Sequence, residues 1–140
     1  KRVPADFAKS IMNRENIVLL SDGSPTRTFC YISDAIIGYL LCLLYGSFEI
    51  FNIGSESPEI SILKLAKIYQ SVSSNILNYV PDVIYGKSSD QEYMMDNPNR
   101  RCPIIDKAKS KLKYQPKIDI EDGIERYLKY LSLEEEKLKI

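Results

Sequence analysis

This sequence of 140 residues contains no histidine and no tryptophan, and its basic and acidic residues balance at nineteen each. Histidine is the side chain most often used as a general base near neutral pH, and it is the commonest metal ligand. Because the charges cancel, the chain lacks the one-signed field that attracts nucleic acid or an anionic membrane. The composition therefore disfavours nucleic-acid binding and excludes catalysis by histidine.

Cysteine is also scarce. Cys30, Cys42 and Cys102 are widely spaced and form no C-x-x-C pair. An odd number of cysteines without a paired motif argues against both a zinc site and a disulfide framework. We expect all three to be small buried hydrophobic side chains in a reducing cytoplasm.

Long apolar runs and glycine-rich loops are missing as well. The most apolar stretch, residues 35–45, is far shorter than the roughly 20 residues that cross a bilayer, so no membrane partner is expected. The six glycines are scattered, and neither a G-x-G-x-x-G nor a P-loop pattern occurs. The chain is therefore not expected to cradle a phosphate with glycine amides.

Helical periodicity is present in several segments. Amphipathic patterns predict helices over residues 3–15, from about Ser61, from Asp106 and from about Asp119. A further helix, apolar nearly all round, is predicted from Ser33 or Asp34 through Tyr45, with Gly46 as its stop. A helix of that composition is either enclosed in a core or covered by a partner.

Short strands are predicted between these helices, at residues 17–20, 26–32, 49–54 and 82–86. Residues 87–103 form a long polar loop, of the kind that is usually disordered or functional. The mixture predicts an α/β class. We divide the chain into a domain at residues 1–131 and a charged, solvated tail at residues 132–140.

Arginine and asparagine side chains are the candidates for ligand binding. Arg27 and Asn52 lie on predicted strands, and Arg100 and Arg101 lie in the long loop. A guanidinium presents a planar fork of donors that matches phosphate oxygens, and ligands of α/β proteins bind at strand ends and adjoining loops. One interpretation is a diphosphate held by Arg27, Asn52 and one loop arginine. The other is a set of ordinary surface side chains.

The segments at residues 22–40, 51–69 and 96–131 together resemble a known family. They are similar to the carboxyl-terminal half of the extended short-chain dehydrogenase/reductases, in the NAD-dependent epimerase/dehydratase family. Within that family, the UDP-glucuronate decarboxylases and the dTDP-glucose 4,6-dehydratases look most similar to this sequence. The resemblance implies the substrate-binding portion of that α/β fold, with most of the Rossmann half missing, and residues 49–54 as a strand that completes the sheet.

The resemblance implies roles for the candidate residues. The family arginine in D-G-x-x-x-R-x-F-x-Y-v-x-D, which contacts the diphosphate or nucleoside of a sugar nucleotide, matches Arg27. The asparagine in y-N-i-G, near the same phosphates, matches Asn52. The arginine in D-x-P-x-x-R-x-P-D matches Arg101, with Arg100 as the alternative register. The implied site has no catalytic residue and no metal ligand in this chain.

Some positions depart from the family pattern. Leu20 stands where decarboxylases often carry a tyrosine close to the base, and Ile104 stands where an aspartate follows R-x-P. Neither the glycine-rich dinucleotide loop nor the Y-x-x-x-K pair of the family's amino-terminal half occurs. These departures leave open the base, the sugar and the branch of the reaction.

The resemblance implies a carboxyl-terminal fragment of a cytoplasmic, NAD-dependent nucleotide-sugar epimerase, dehydratase or decarboxylase that acts through a 4-keto intermediate. Its partner would be a UDP- or dTDP-sugar, and the parent would be a homodimer formed through the missing half. NAD would bind the parent, so this chain alone is expected to be inactive. The alternatives are a non-catalytic sugar-nucleotide-binding module and a protein-interaction module that docks through the apolar helix.

Overall fold

The computed structural model describes residues 2–86 and 98–137, and five helices lie in these ranges. They are α1 (Val3–Met12), α2 (Ile32–Leu44), α3 (Ile62–Leu77), α4 (Asp106–Leu112) and α5 (Ile120–Lys137). Among the described residues, no helix combines the length and the apolar character that crossing a bilayer requires.

Five short strands form two small sheets in the same ranges. The strands are β1 (Ile17–Leu19), β2 (Thr26–Arg27), β3 (Ile60–Ser61), β4 (Val83–Tyr85) and β5 (Arg100–Arg101). β1 and β4 pair in parallel. β2 is the centre of the second sheet, antiparallel to β3 and parallel to β5. This alternation of helices and short strands confirms the predicted α/β class.

The larger core lies between α1, α3 and α5 and against β1. Each helix buries the apolar face that its periodicity predicts, because residues three and four apart share one side of a helix. The ring of Phe7 packs edge-on against the ring of Tyr69, with centroids 5.8 Å apart, and the Tyr69 hydroxyl donates to the Pro4 carbonyl at 3.1 Å. The fully or nearly buried members are Phe7, Ala8, Ile11, Ile17, Leu19, Leu65, Ala66, Tyr69, Val72, Ile124 and Leu128.

The smaller core joins α2 to α4. Ile105, Ala108, Leu112 and Tyr114 are buried there, against Ile53 and the inner side of α2. Gly38 makes the contact possible, since a Cβ at this position would lie 2.4 Å from Ile53 Cγ2. Only a residue without a side chain lets α2 approach the 51–53 segment so closely.

The ends of α3 and α2 confirm two predictions. Ser61 caps α3, and its hydroxyl oxygen accepts a hydrogen bond from the Lys64 N–H at 3.1 Å. α2 ends at Leu44, just before Gly46, which has a φ of 74°. Glycine adopts that left-handed conformation without steric cost, so it ends the helix as predicted.

Two strand predictions were wrong in extent or kind. The run 26–32 is a strand only at Thr26–Arg27, because only there do β3 and β5 supply hydrogen-bonding neighbours. Residues 49–54 form no strand, since no described strand runs beside them. The Ile50 carbonyl instead accepts from Lys107 Nζ at 2.9 Å, and the Phe51 ring packs against Tyr45.

Four boundaries also differ from the predictions. α1 ends at Met12, earlier than predicted, and α2 begins at Ile32, one residue before the predicted cap. The predicted polar loop contains β5, and its residues 87–97 lie outside the described residues. α5 continues through Lys137, into the segment predicted as a solvated tail. The division into a domain at 1–131 and a tail stays a prediction.

The outer side of α2 is exposed, although the helix is almost wholly apolar. Within the helix only Asp34 and Gly38 are buried. The buried Asp34 carboxylate accepts hydrogen bonds from the Lys117 and Ile118 N–H groups, both at 2.9 Å, so this side chain ties the start of α2 to the segment before α5. The exposed apolar residues of α2 and the following turn are Ile32, Ile36, Ile37, Tyr39, Leu40, Leu43, Leu44, Phe48 and Ile50.

Candidate functional site

A cavity of about 810 Å³ opens between the first turn of α1, the end of β1 and the sheet formed by β2 and β5. This volume lies in the range of small-molecule and cofactor sites. Arg27 and Arg101 both line the cavity. The fold therefore brings together two of the predicted arginines, from segments that are distant in sequence.

Arg27 is half-buried in the cavity wall, and its side chain is held by backbone carbonyls. Nη1 donates to the Thr26 carbonyl at 2.7 Å, and Nη2 donates to the Pro98 carbonyl at 2.6 Å. These contacts fix the direction of the guanidinium before a ligand arrives. A positioned cation of this kind loses less conformational entropy on binding than a mobile one.

Strand register separates the two adjacent arginines of β5. Arg101 lies opposite Arg27 in the parallel pair, and Arg100 lies opposite Thr26. Since successive side chains of a strand point to opposite faces, Arg101 lines the cavity together with Arg27, and Arg100 points away. Arg100 instead forms an ion pair with Glu59 at 2.8 Å. Within the described residues, the Arg101 guanidinium makes no hydrogen bond or ion pair.

The structure does not bring Asn52 to this cavity. Its Nδ2 donates to the Ile104 carbonyl at 3.0 Å, so the side chain links the 51–53 segment to the residues before α4. Asn52 is not among the described lining residues. The described cavity lining therefore holds Arg27 and Arg101 but not Asn52, and the binding roles of all three residues stay predictions.

The start of α1 also contributes to the cavity, which the sequence patterns did not indicate. Arg2, just before α1, and Asp6, in its first turn, both line the cavity, so the described lining residues include three arginines and one carboxylate. Arg2 lies outside the quoted family patterns, and no local signal pointed to it. Helix periodicity alone could have placed Asp6 beside Arg2 on the exposed side of α1.

Apolar side chains also line the cavity. Val18, Leu20 and Phe29 line it, together with Ile62 from the start of α3. Leu20 stands where the family pattern has a tyrosine. A cavity lined by both arginine and apolar side chains suits a ligand that carries phosphate or carboxylate groups on a less polar body.

Known proteins that are similar to this chain include a protein family and several enzymes named for UDP-sugars. The model of the NAD dependent epimerase/dehydratase family matches residues 1–54. UDP-glucuronic acid decarboxylase 1 of Arabidopsis thaliana is 28% identical over 127 residues, which is 89% of this chain and 26% of that protein. UDP-D-apiose/UDP-D-xylose synthase of Oryza sativa subsp. japonica is 30% identical over 136 residues, 92% of this chain and 34% of that protein. The chain spans about a quarter to a third of these relatives.

Solved structures share the fold. UDP-glucuronic acid 4-epimerase from Bacillus cereus, in complex with UDP-glucuronic acid and NAD, has a TM-score of 0.74 at 26% identity, over 94% of this chain and 40% of that one. An epimerase from Methanothermobacter thermautotrophicus has a TM-score of 0.82 at 24% identity, over 99% of this chain and 39% of that one. The backbone arrangement described above is therefore that of a part of an epimerase fold.

Proposed function

We propose that this chain, which is related to the NAD-dependent epimerase/dehydratase family, is the sugar-nucleotide-binding portion of an NAD-dependent enzyme. The enzyme would be an epimerase, a dehydratase or a decarboxylase of nucleotide sugars, and its substrate would be a UDP- or dTDP-sugar. The observation that carries the proposal is the cavity that Arg27 and Arg101 share, which apolar side chains also line.

Within this proposal the two guanidinium groups hold the diphosphate. Arg27 is fixed by the Thr26 and Pro98 carbonyls, while Arg101 is exposed at the cavity rim, so one cation is positioned beforehand and the other can close on the ligand. Neither side chain exchanges a proton in the reaction. Binding energy gained at the diphosphate orients the sugar, and orientation raises the rate of the step at the sugar carbon.

The described residues do not fit NAD. The phosphates of a dinucleotide need a glycine-rich turn between a strand and the amino terminus of a helix. β1 does run into a turn containing Gly23, but a Cβ there would lie 2.9 Å from Leu63 Cβ, and the chain continues into β2 rather than into a helix. NAD would thus be held by another part of the enzyme.

The exposed face of α2 supports the view that such a part exists. Leu43, Leu44 and Phe48 are 78%, 79% and 99% exposed, and they continue the apolar surface of the helix. Contiguous apolar patches of this kind mark interfaces more often than free surface. A dinucleotide-binding part that packs on α2 would cover them. The homodimer and the cytoplasmic location remain predictions.

A titration of this chain with UDP, UDP-sugars and dTDP-sugars tests the proposal. Nuclear magnetic resonance of the ¹⁵N-labelled protein detects millimolar affinity, the level we expect when the rest of the enzyme is absent. Shifts should concentrate at the side-chain Nε–H signals of Arg27 and Arg101, with the Arg126 signal on α5 as an internal control. Nucleotide sugars that move Arg126 as much as the cavity arginines would contradict the proposal.

A protein-interaction module is the second candidate function, because the same α2 face could dock on an unrelated protein. Hydrogen exchange on α2 separates the two. If the dinucleotide-binding part of a relative, added in trans, protects residues 36–44, the enzyme interpretation is supported. If protection fails to appear and no nucleotide sugar binds, the protein-interaction module is favoured. If protection fails to appear while micromolar nucleotide sugar binds the chain alone, the chain is a non-catalytic binding module.

A further inference from the structure

Glu59 connects the three strands of the small sheet on the face that points away from the cavity. It directly precedes Ile60 of β3, and its carboxylate accepts a hydrogen bond from the Thr26 hydroxyl on β2. The Arg100 guanidinium on β5 donates to both carboxylate oxygens, with Nη2 2.8 Å from Oε2 and Nε 3.0 Å from Oε1. One side chain thus links β2, β3 and β5.

The sequence of β5 creates an ambiguity that this contact resolves. β5 consists of Arg100 and Arg101, so a slip by one residue would exchange the two guanidinium groups between the faces of the sheet. The backbone bonds of β2 to this segment, Thr26 N–H to the Asn99 carbonyl and Thr28 N–H to the Arg101 carbonyl, can form with any residues. The bidentate bond to Glu59 distinguishes the registers, because it holds Arg100 on the outer face.

We propose that Glu59 is a positioning residue that assigns Arg101, and not Arg100, to the cavity by anchoring Arg100 on the opposite face of the sheet. The inference rests on the proposed function, because it takes Arg101 as a ligand contact. The planar geometry of a bidentate arginine–carboxylate pair makes the anchor directional, so a neutral amide at position 59 cannot replace it fully.

Double variants test the register, since a purely structural role would not couple Glu59 to Arg101. In the native chain, Arg101→Ala should weaken UDP-sugar affinity about tenfold, the scale of one charged hydrogen bond. In a Glu59→Gln background the same change should cost less than about threefold, because Arg100 in the slipped register replaces Arg101. Glu56→Gln, three residues away and paired with Lys109, is the control background, and there the tenfold loss should persist.

The outcomes separate this inference from the proposed function. An equal loss from Arg101→Ala in the native and Glu59→Gln chains would overturn the register role and leave the proposed function intact. If no nucleotide sugar binds the native chain, the proposed function fails. The register is then judged by nuclear Overhauser contacts between Arg100 and Thr26, which lie opposite each other in the native register. These contacts should weaken in Glu59→Gln, and unchanged contacts would overturn the inference.

A second variant guards against loss of folding. If circular dichroism shows that Glu59→Gln is unfolded, Arg100→Lys replaces it, because lysine keeps the charge but forms no bidentate bond. Arg101→Ala should then again cost less than about threefold in that background. A full tenfold loss of UDP-sugar affinity in that background would count against the proposal that the Glu59–Arg100 contact sets the register of β5.

Discussion

Arg27 and Arg101 lie opposite each other in neighbouring parallel strands, and both line the same cavity. Two residues facing each other across such a pair put their side chains on one face of the sheet. One face of the sheet therefore carries both arginine side chains, although the segments that hold them are far apart in the chain. Each strand is only two residues long, so the arrangement depends on the few contacts that hold β2 and β5 in place.

Replacing Arg27 by alanine tests the first of these groups. Arg27→Ala is expected to weaken binding of a UDP-sugar to the complete enzyme by about 1.5–3 kcal/mol, the value of a hydrogen bond to a charged group. Isothermal titration calorimetry measures the change. Arg126→Ala is the matched control, because that arginine pairs with Asp122 on its own helix and should leave the affinity unaltered. Affinity that stays at the native value in Arg27→Ala would refute the assignment.

Gly38 should tolerate no side chain. Gly38→Ala places a Cβ 2.4 Å from Ile53 Cγ2 and 3.0 Å from Tyr114 Cε2, so we expect a loss of about 1–3 kcal/mol in the free energy of unfolding. Urea denaturation measures the loss. Ile53→Ala should relieve the clash, so the double variant should lose less than the sum of the two single changes. Strict additivity would show that the predicted contact is absent.

Leu128 tests the larger core. Leu128 is fully buried between α1, α3 and α5, so Leu128→Ala should lower the free energy of unfolding by about 2–5 kcal/mol. Leu133 on the same helix is 57% exposed, and Leu133→Ala should change stability by less than about 0.5 kcal/mol. Both values come from urea denaturation. Similar losses at the two positions would mean that α5 presents a different face to the core.

Glu49 should make stability depend on acid pH. Hydrogen bonds from Lys111, then from Lys107, lower the pKa of the Glu49 carboxyl from its ordinary 4.5 to about 2. Between these two values the unfolded chain binds more protons than the folded one, so this stabilisation is lost as the pH falls from 4.5 towards 2. The stability advantage of the native chain over Glu49→Gln should therefore be constant near neutral pH and shrink below pH 4.5.

Denaturation of both chains across that pH range measures the advantage. Because the ion pairs of Glu49 are largely solvated, salt at about 1 M should reduce it at neutral pH, where the Debye length is about 3 Å. An advantage that grows as the pH falls would reverse the sign of this linkage and contradict the role of the two lysines.

Much of the helical structure could be predicted from local pattern. The apolar spacing in α3 and α5 gave the buried faces, and Ser61 and Gly46 gave a start and a stop. The strands were less predictable, because a strand exists only where another strand supplies its hydrogen bonds. The apolar residues at 49–54 have the composition of a strand, but no described strand lies beside them.

Only the part of the candidate site that local sequence patterns mark could be predicted. The pattern around Arg27 and the pair Arg100–Arg101 pointed to arginines that could meet an anion. The contribution of Arg2 and the turning of Asn52 to the Ile104 carbonyl could not be predicted, since both depend on how distant segments pack.

The sequence alone determined the helical faces, the α/β class and which arginines are available to meet an anion, because these follow from residue type and short-range spacing. Only the tertiary structure decided which of two adjacent arginines faces the cavity and which side of α2 remains exposed. It also decided that the Asn52 amide donates its hydrogen bond to the Ile104 carbonyl. Those outcomes depend on strand register and on contacts between distant segments, which no local pattern encodes.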